Sequence, residues 1–334
     1  MGDRAGQTHH LGREAIHTCW NNALPPRLTI APGDTVVFET LEPSQGQVAR
    51  DVAAGFDAGV DPDVTAFVAA AAYPELPKGP GTELSGHALT GPIAILGAEP
   101  GDTLVVDVLQ IVPGAWGWTA CGPGGGSLAG EELTEWVMHL WDLRAGDAAT
   151  FAPGIRVPLA PFCGVMGVAL DEPGNHPTYP PRRAGGNMDV RQLTAGASLW
   201  LPVLVLGALF SVGDAHAAQG DGEVGGMAIE MDATVTLRFD LRKGKTVSSP
   251  QFRTPTLGPP AGPWFVATGH DADLYEAARA ALCGVLGYLE EEHGLERARA
   301  CILASVCVDL RISQIVNGGT YTVSAFLPLS IFDG

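Results

Sequence analysis

One phrase occurs twice and limits what this chain can become: IAPGDTVVFET at 30–40 and AEPGDTLVVDV at 98–108 both carry Pro-Gly-Asp-Thr ahead of a run of β-branched residues. Proline presets φ at the second position of a tight turn, glycine accepts a positive φ at the third, and the apolar run that follows reads as a strand. LTAGASLWLPVLV at 193–205 has the same shape without the proline. Whether the echo records a duplication or a common hairpin phrase does not alter the assignment. With 44 glycines and 26 prolines punctuating short apolar runs, the expected fold class is mainly β, a β-sandwich or barrel-like body.

The pattern changes near residue 250. QFRTPTLGPPAG at 251–262 holds three prolines and reads as an irregular connector. Beyond it, 271–292 places Leu274, Ala278, Ala281, Leu282, Val285 and Leu289 on one helical face, with Asp271 or Asp273 as N-cap. A second helix is expected from Leu295 to about Val306, and TYTVSAFLPLSIF closes the chain as a strand. The organisation is therefore a β-rich body at 1–250 that carries the candidate site, and a smaller α+β C-terminal portion at 251–334 that completes the fold.

Composition excludes several classes. A formal charge of −18, without a local cluster of Lys or Arg, repels a phosphate backbone, so nucleic acid is not an expected partner. The apolar run LWLPVLVLGALF at 199–210 is too short to span a bilayer and contains a proline, so no membrane partner is expected either. Six scattered cysteines form no CxxC pair, and the polar start MGDRAGQTHH has no apolar signal-peptide core. Together these point to a reduced, cytoplasmic protein.

Four segments set His, Asp, Glu or Asn beside glycines: SGHALTGPIAILGAEPGD around His87, GGNMDVRQL around Asn187 and Asp189, GDAHAAQGDGE at 213–223, and AIEMD around Glu230. Such side chains on rigid elements are what a hydrolytic metal site requires. If 210–216 is extended, Asp214 and His216 project to one face. Gln219 is placed to orient a ligand or a substrate amide, Gly220 and Gly222 let the backbone turn closely, and Glu223 returns a carboxylate. Each segment also has a plainer reading. The Gly/Asp loop suits a solvated hairpin, His87 a structural hydrogen bond, and Asp189 an Asx turn. Glu230 suits the polar face of a strand, although its apolar neighbours make an unpaired carboxylate there costly.

These phrases, in this order, resemble the acetamidase/formamidase family of amide hydrolases. The likeness runs from HTCWNNALPPRLTIAPGDTVVFET at 17–40 through PFCGVMGVA and GGNMDVRQLTAG to GALFSVGDAHAAQGDGEV, AIE and VDLRISQIV. It implies a mostly β fold, a metal-dependent amidase acting on a small neutral amide such as acetamide or formamide, and a homodimer or higher homo-oligomer. It carries His87, Asn187, Asp189, Asp214, His216, Gln219, Asp221, Glu223 and Glu230 over as family positions. The chain departs from the family pattern in GEVGGMAIE, where Gly225 and Gly226 replace bulkier residues.

Asp189, Asp214 and His216 are the expected metal ligands, with zinc favoured by the imidazole and calcium an alternative in so oxygen-rich a set. Glu223 is the expected general base, worth roughly 10² to 10⁴ in rate. His87 is the expected second catalytic group, stabilising the oxyanion, while Asn187, Gln219 and Glu230 bind substrate. Lysine-dependent amidase chemistry finds no support, because none of Lys78, Lys243 and Lys245 lies in a catalytic motif. Cys163 reads as packing or as a nucleophile, and the Gly-rich CGPGGGS at 121–127 as a loop or lid. The rival from another class is a non-catalytic, calcium-binding β-sandwich module.

Overall fold

The computed structural model describes residues 6–57, 60–73, 75, 80–84, 86–124, 129–191, 193–221, 223–247, 250–253, 264–314 and 321–332. Most of the connector at 254–263, the tip of the Gly-rich loop at 125–128, and Gly222 lie outside them.

Both Pro-Gly-Asp-Thr phrases form the expected turn. Asp34 N–H bonds the Ala31 carbonyl and Asp102 N–H the Glu99 carbonyl, each at 3.1 Å, with Gly33 at φ +91° and Gly101 at +96°. Each aspartate also accepts from the backbone three residues earlier, at 3.0 Å from Ala31 and 2.9 Å from Glu99, which locks the turn. Strands Thr35–Thr40 and Thr103–Cys121 leave directly from these turns. The third phrase likewise launches a strand, Ser198–Pro202.

The body is a 14-stranded, largely antiparallel sheet. Its spine pairs Thr103–Cys121 with Glu230–Arg242, from Glu230 opposite Trp118 to Arg242 opposite Thr103. Burial alternates along Glu230–Arg242, so one side chain in two enters the core. There Phe38, Phe210 and Phe239 meet edge to face with centroids 5.1–6.2 Å apart. The strands that matter for the site lie alongside: Gly185–Asn187, Phe162–Val168, Phe210–His216 and Glu230–Arg242 are successive neighbours.

The C-terminal portion holds a three-stranded sheet, Trp264–Asp271, Tyr321–Pro328 and Asp309–Gln314. Helix Leu274–His293 is capped by Asp273, which accepts from Tyr275 N–H at 2.7 Å, and ends on Gly294 at φ +62°. Its buried face holds Ala277, Ala281, Leu282, Val285, Leu286 and Leu289, while Leu274 and Ala278 are only half-buried. The second helix is Arg297–Cys307 and not 295–306, because the Glu296 carboxylate accepts from Ala298 and Arg299 N–H and so makes Glu296 the cap. The closing segment is a strand only to Pro328, after which Leu329–Ile331 forms a 3₁₀ turn. Among the described residues no helix is long and apolar enough to cross a membrane.

His17 links this fold to acid stability. It is fully buried, donates from Nδ1 to the Cys19 carbonyl at 2.8 Å and accepts from Ser211 Oγ at Nε2, also at 2.8 Å. Burial holds its pKa down at about 4 instead of 6.5, against the Cys19 bond and with help from Arg27. A histidine that stays neutral when folded costs stability as pH falls from 6.5 to 4, because only the unfolded chain takes up the proton there. Wild type is expected to lose about 3 kcal/mol from this residue across that window. Unfolding curves of wild type and His17→Gln at pH 7 and pH 4 check this: the gap between them should shrink by that amount.

Candidate active site

The site begins at an irregularity in two paired strands. Cys163 and Val165 sit opposite Ala215 and Gly213, so Gly164 faces Asp214 across the ladder. Asp214 adopts φ +54°, and Asp189 and Glu223 adopt +49° and +42°. A non-glycine residue in this region costs roughly 1 kcal/mol or more. Three site carboxylates therefore stand on strained backbone, an expense that neighbouring strands have no reason to repeat without a use.

His216 ends the Phe210–His216 strand and pairs with Glu230, the first residue of the next strand. Its Nε2 lies 3.4 Å from Asp214 Oδ2 and 3.1 Å from Glu230 Oε2. Gln219 stands behind it, donating to the Asp189 carbonyl at 2.9 Å. Its Oε1 is thus left to accept from His216 Nδ1, at 3.1 Å. That contact puts the proton of a neutral imidazole on Nδ1 and leaves the Nε2 lone pair free, the arrangement of a ligating histidine held by an outer partner. Donor atoms of Asp214, His216 and Glu230 lie within 4.8 Å of one another, as do those of Asp189, His216 and Glu223. His216 is common to both groups.

All of these residues except Gln219 line a cavity of about 290 Å3, joined by His87, Asn187, Trp118, Tyr179 and Met227. Five buried polar atoms on its wall have no hydrogen-bond partner: His87 Nδ1, Asn187 Oδ1, Asp189 Oδ1, His216 Nε2 and Glu230 Oε2. Buried polar atoms are nearly always satisfied, so this convergence of unpartnered polar atoms calls for a bound group. A divalent cation fits the donor chemistry, imidazole nitrogen plus carboxylate oxygens. Gly164 makes room for it, because a Cβ there would lie 2.5 Å from Asp189 Oδ1 and 2.7 Å from Asp214 Oδ2.

The electrostatics agree. Burial, then the Asp189 charge, raises Glu223 to about 9. Burial, with Asp214 and Glu230 adding to it against His216, raises Asp189 to about 6. Glu230 is also raised by burial. Asp214 goes the other way, to about 2, because His87 and His216 outweigh its burial. His216 is raised despite burial by Glu230 and Asp214, so without a cation its Nε2 holds a proton that a metal ion would displace. Four carboxyl groups in one enclosed space cannot all ionise without added positive charge.

The structure thus brings His87, Asn187, Asp189, Asp214, His216, Glu223 and Glu230 to one cavity and places Gln219 just outside it, as the support of His216. Asp221 is not on the wall. Its carboxylate pairs with Arg191 at 3.5 Å, and its N–H bonds Asp309 Oδ1 at 2.9 Å. Arg191 also holds the Gln219 carbonyl at 2.9 Å. Gly220 N–H bonds the Ser305 carbonyl, Leu310 N–H the Asp221 carbonyl, and Ser305 Oγ the Met227 carbonyl. The site loop is therefore tied to the second C-terminal helix and the strand after it. Gly225 is where that helix packs, since a Cβ there would lie 2.7 Å from Ser305 Cβ. Only Gly226 of the pair reaches the cavity wall.

Two features had no sequence signal. Trp118 forms a wall of the cavity and donates from Nε1 to buried Glu42 at 2.9 Å. Gly164, within the PFCGVMG phrase, is the other. Cys163 beside it is fully buried, is absent from the wall and has its thiol pushed up to about 12 by burial, so it packs and does not attack.

The family model for acetamidases and formamidases matches residues 82–174 and 170–334. The chain belongs to the acetamidase/formamidase family. It is an amidase, and 27% of its residues over an alignment of 385 are identical to a formamidase of Methylophilus methylotrophus, spanning 95% of this chain and 89% of that one. An acetamidase of Mycolicibacterium smegmatis is 25% identical over 81% of this chain and 78% of its own. Among solved structures, a gamma lactamase from Delftia acidovorans superimposes with a TM-score of 0.80 at 25% identity, over 96% of this chain and 90% of that one. An acetamidase from Bacillus halodurans gives 0.61 at 29%, over 96% and 97%.

In this amidase, Gly164→Ala should leave the fold intact, because the three atoms nearest the added methyl all belong to side chains. Displacing Asp189 and Asp214 by about 1 Å should cost roughly 10² in turnover. Amide hydrolysis together with a far-ultraviolet dichroism spectrum checks both halves.

Proposed function

We propose that this member of the family hydrolyses a short aliphatic carboxamide, of the acetamide or formamide type, to carboxylate and ammonia, with a divalent cation held by Asp189, Asp214 and His216. The observation that carries the reading is the set of unpartnered buried donors on one wall, around an imidazole whose free lone pair is set by Gln219. Glu230, within 3.1 Å of the same imidazole nitrogen, belongs with the ligands more readily than with the substrate contacts. Zinc is the first choice because an imidazole takes part, and calcium the second. When bound, the cation supplies positive charge that lowers the pKa of water towards about 7 and polarises the amide carbonyl.

The protein's own groups do the rest. Glu223 takes the proton from the attacking water and delivers it to the departing nitrogen, which leaves as ammonia. His87 Nδ1, unpartnered on the wall, stabilises the oxygen as charge gathers on it. Asn187 Oδ1 accepts from the carboxamide N–H and so orients the substrate. Trp118, Tyr179 and Met227 receive the acyl group. A neutral substrate needs no basic pocket, and among the described residues no Lys or Arg lines this wall. The non-catalytic calcium module lacks any comparable support, since the family is one of amide hydrolases.

Ammonia release from acetamide and formamide, before and after exhaustive chelation, is the test. Turnover should vanish with the metal and return with added zinc, and an anomalous-scattering map should place the ion at His216 Nε2. Unchanged turnover in protein shown to be metal-free would refute the cation.

A further inference from the structure

Behind the catalytic cavity lies a carboxylate that the chemistry does not use. Glu42 follows strand Thr35–Thr40 by two residues, is 1% exposed and is absent from the wall. Four donors converge on it. Ser44 N–H at 2.6 Å and Trp118 Nε1–H at 2.9 Å share Oε2, while Ser44 Oγ–H at 2.7 Å and Gly46 N–H share Oε1. Ser44 Oγ itself accepts from Val48 N–H at 3.1 Å, so its proton is left for Glu42. Each carboxyl oxygen accepts twice and every neighbour donates, which suits an ionised carboxylate. Burial pushes the Glu42 pKa up and the four bonds hold it back. Among the described residues it forms no ion pair, the Arg13 guanidinium going to Asp232 at 3.0 Å. A buried charge without a cation is an expensive way to close a turn.

Three of the four donors belong to that turn, which carries Gln45 at φ +57° and Gly46 at +80°. The turn has anchors of its own: Glu42 N–H bonds Asp232 Oδ1 at 2.8 Å, and Gln45 Nε2 bonds the Gly86 carbonyl at 2.9 Å. The fourth donor belongs to the cavity. Trp118 stands directly across the ladder from Glu230, so both side chains leave the sheet on one face and the indole lies beside a proposed metal ligand. An indole has one donor and no acceptor, so the bond to Glu42 selects which edge of the ring meets the cavity. Pro43 and Ser44 continue the same wall. Because the Ser44 hydroxyl is spent on Glu42 and Val48, what this side offers a substrate is apolar.

We propose that Glu42 is a positioning residue for amide hydrolysis: it touches no substrate, but it fixes the Trp118 indole as the surface on which the acyl group packs, and so sets which short amides are preferred. The inference rests on the carboxamide reading of the cavity. Steady-state kinetics of the metal-loaded enzyme with formamide, acetamide and propionamide test it. Glu42→Gln turns an NH2 group towards at least one pair of these donors. It should lower kcat/KM roughly 10-fold for acetamide and further for propionamide, but by less than about 3-fold for formamide, whose acyl carbon bears only hydrogen. In a Trp118→Phe background, where no indole N–H remains to be held, Glu42→Gln should leave the acetamide-to-formamide ratio where Trp118→Phe alone puts it. Glu42→Asp keeps the charge but, one methylene shorter, cannot serve the turn and the indole together; it should move the ratio in the same direction and serves if Glu42→Gln does not fold. An unchanged or raised ratio overturns the proposal, as does the same change in both backgrounds, since a carboxylate that only closes the turn would slow all three amides alike. Wild type that hydrolyses none of the three refutes the carboxamide reading itself, whereas wild type that hydrolyses them while both Glu42 variants keep its ratio refutes this inference alone.

Discussion

His216→Ala is expected to empty the catalytic cavity of metal and to reduce amide turnover by at least about 10³, since water left without a cation returns from a pKa near 7 to 15.7. His216 is the one donor common to both clusters, so no other single truncation removes as much. Asp214 and Glu230, each buried, lose their partner in the same step. An uncompensated buried pair costs about 3–5 kcal/mol, so the variant should also unfold at lower denaturant than metal-free wild type. Metal content by atomic emission, turnover, and urea midpoints read the three effects separately. Full metal occupancy in the variant would move the ion elsewhere.

Glu223→Gln should keep the metal and lose roughly 10² to 10⁴ in kcat, because glutamine preserves size and hydrogen bonding but neither accepts nor delivers a proton. The distinction from a ligand role lies in the metal assay: activity and metal falling together would make Glu223 a ligand, while normal turnover with normal metal would remove it from the reaction. Its carboxyl, held up at about 9 by burial and by Asp189, shows how strongly the cavity resists negative charge when no cation is present.

Much of this was legible from residues alone where the cause is local. A Pro-Gly pair before Asp-Thr makes its turn wherever it stands, and Asp273 caps its helix through a contact two residues away. Asp214 and His216 do share the strand that was expected, but Asp214 stands at φ +54°, so an extended strand alone does not account for their convergence. What stayed hidden depends on partners far along the chain. Gln219 was read as facing the substrate, yet its amide is taken up by His216 and by the Asp189 carbonyl, thirty residues earlier. Glu230 was read as a substrate contact, and only the register of two strands sets it against His216. Gly164 has meaning only once Asp189, Asp214 and His216 surround it. Trp118, which lines the cavity, is bonded to a carboxylate, Glu42, that lies 76 residues away.

The ties that hold the loop after His216 have a consequence for how the enzyme comes into being. Gly220, Asp221 and Met227 are fastened to Ser305, Asp309 and Leu310, residues made more than 75 positions later (|i−j| 78 and 88 for two of the contacts). A nascent polypeptide on the ribosome has therefore synthesised every proposed catalytic group well before these contacts can hold the loop. A chain cut before Ser305 is therefore expected to release no ammonia from an amide even though every proposed donor is present, which an assay of such a truncation checks.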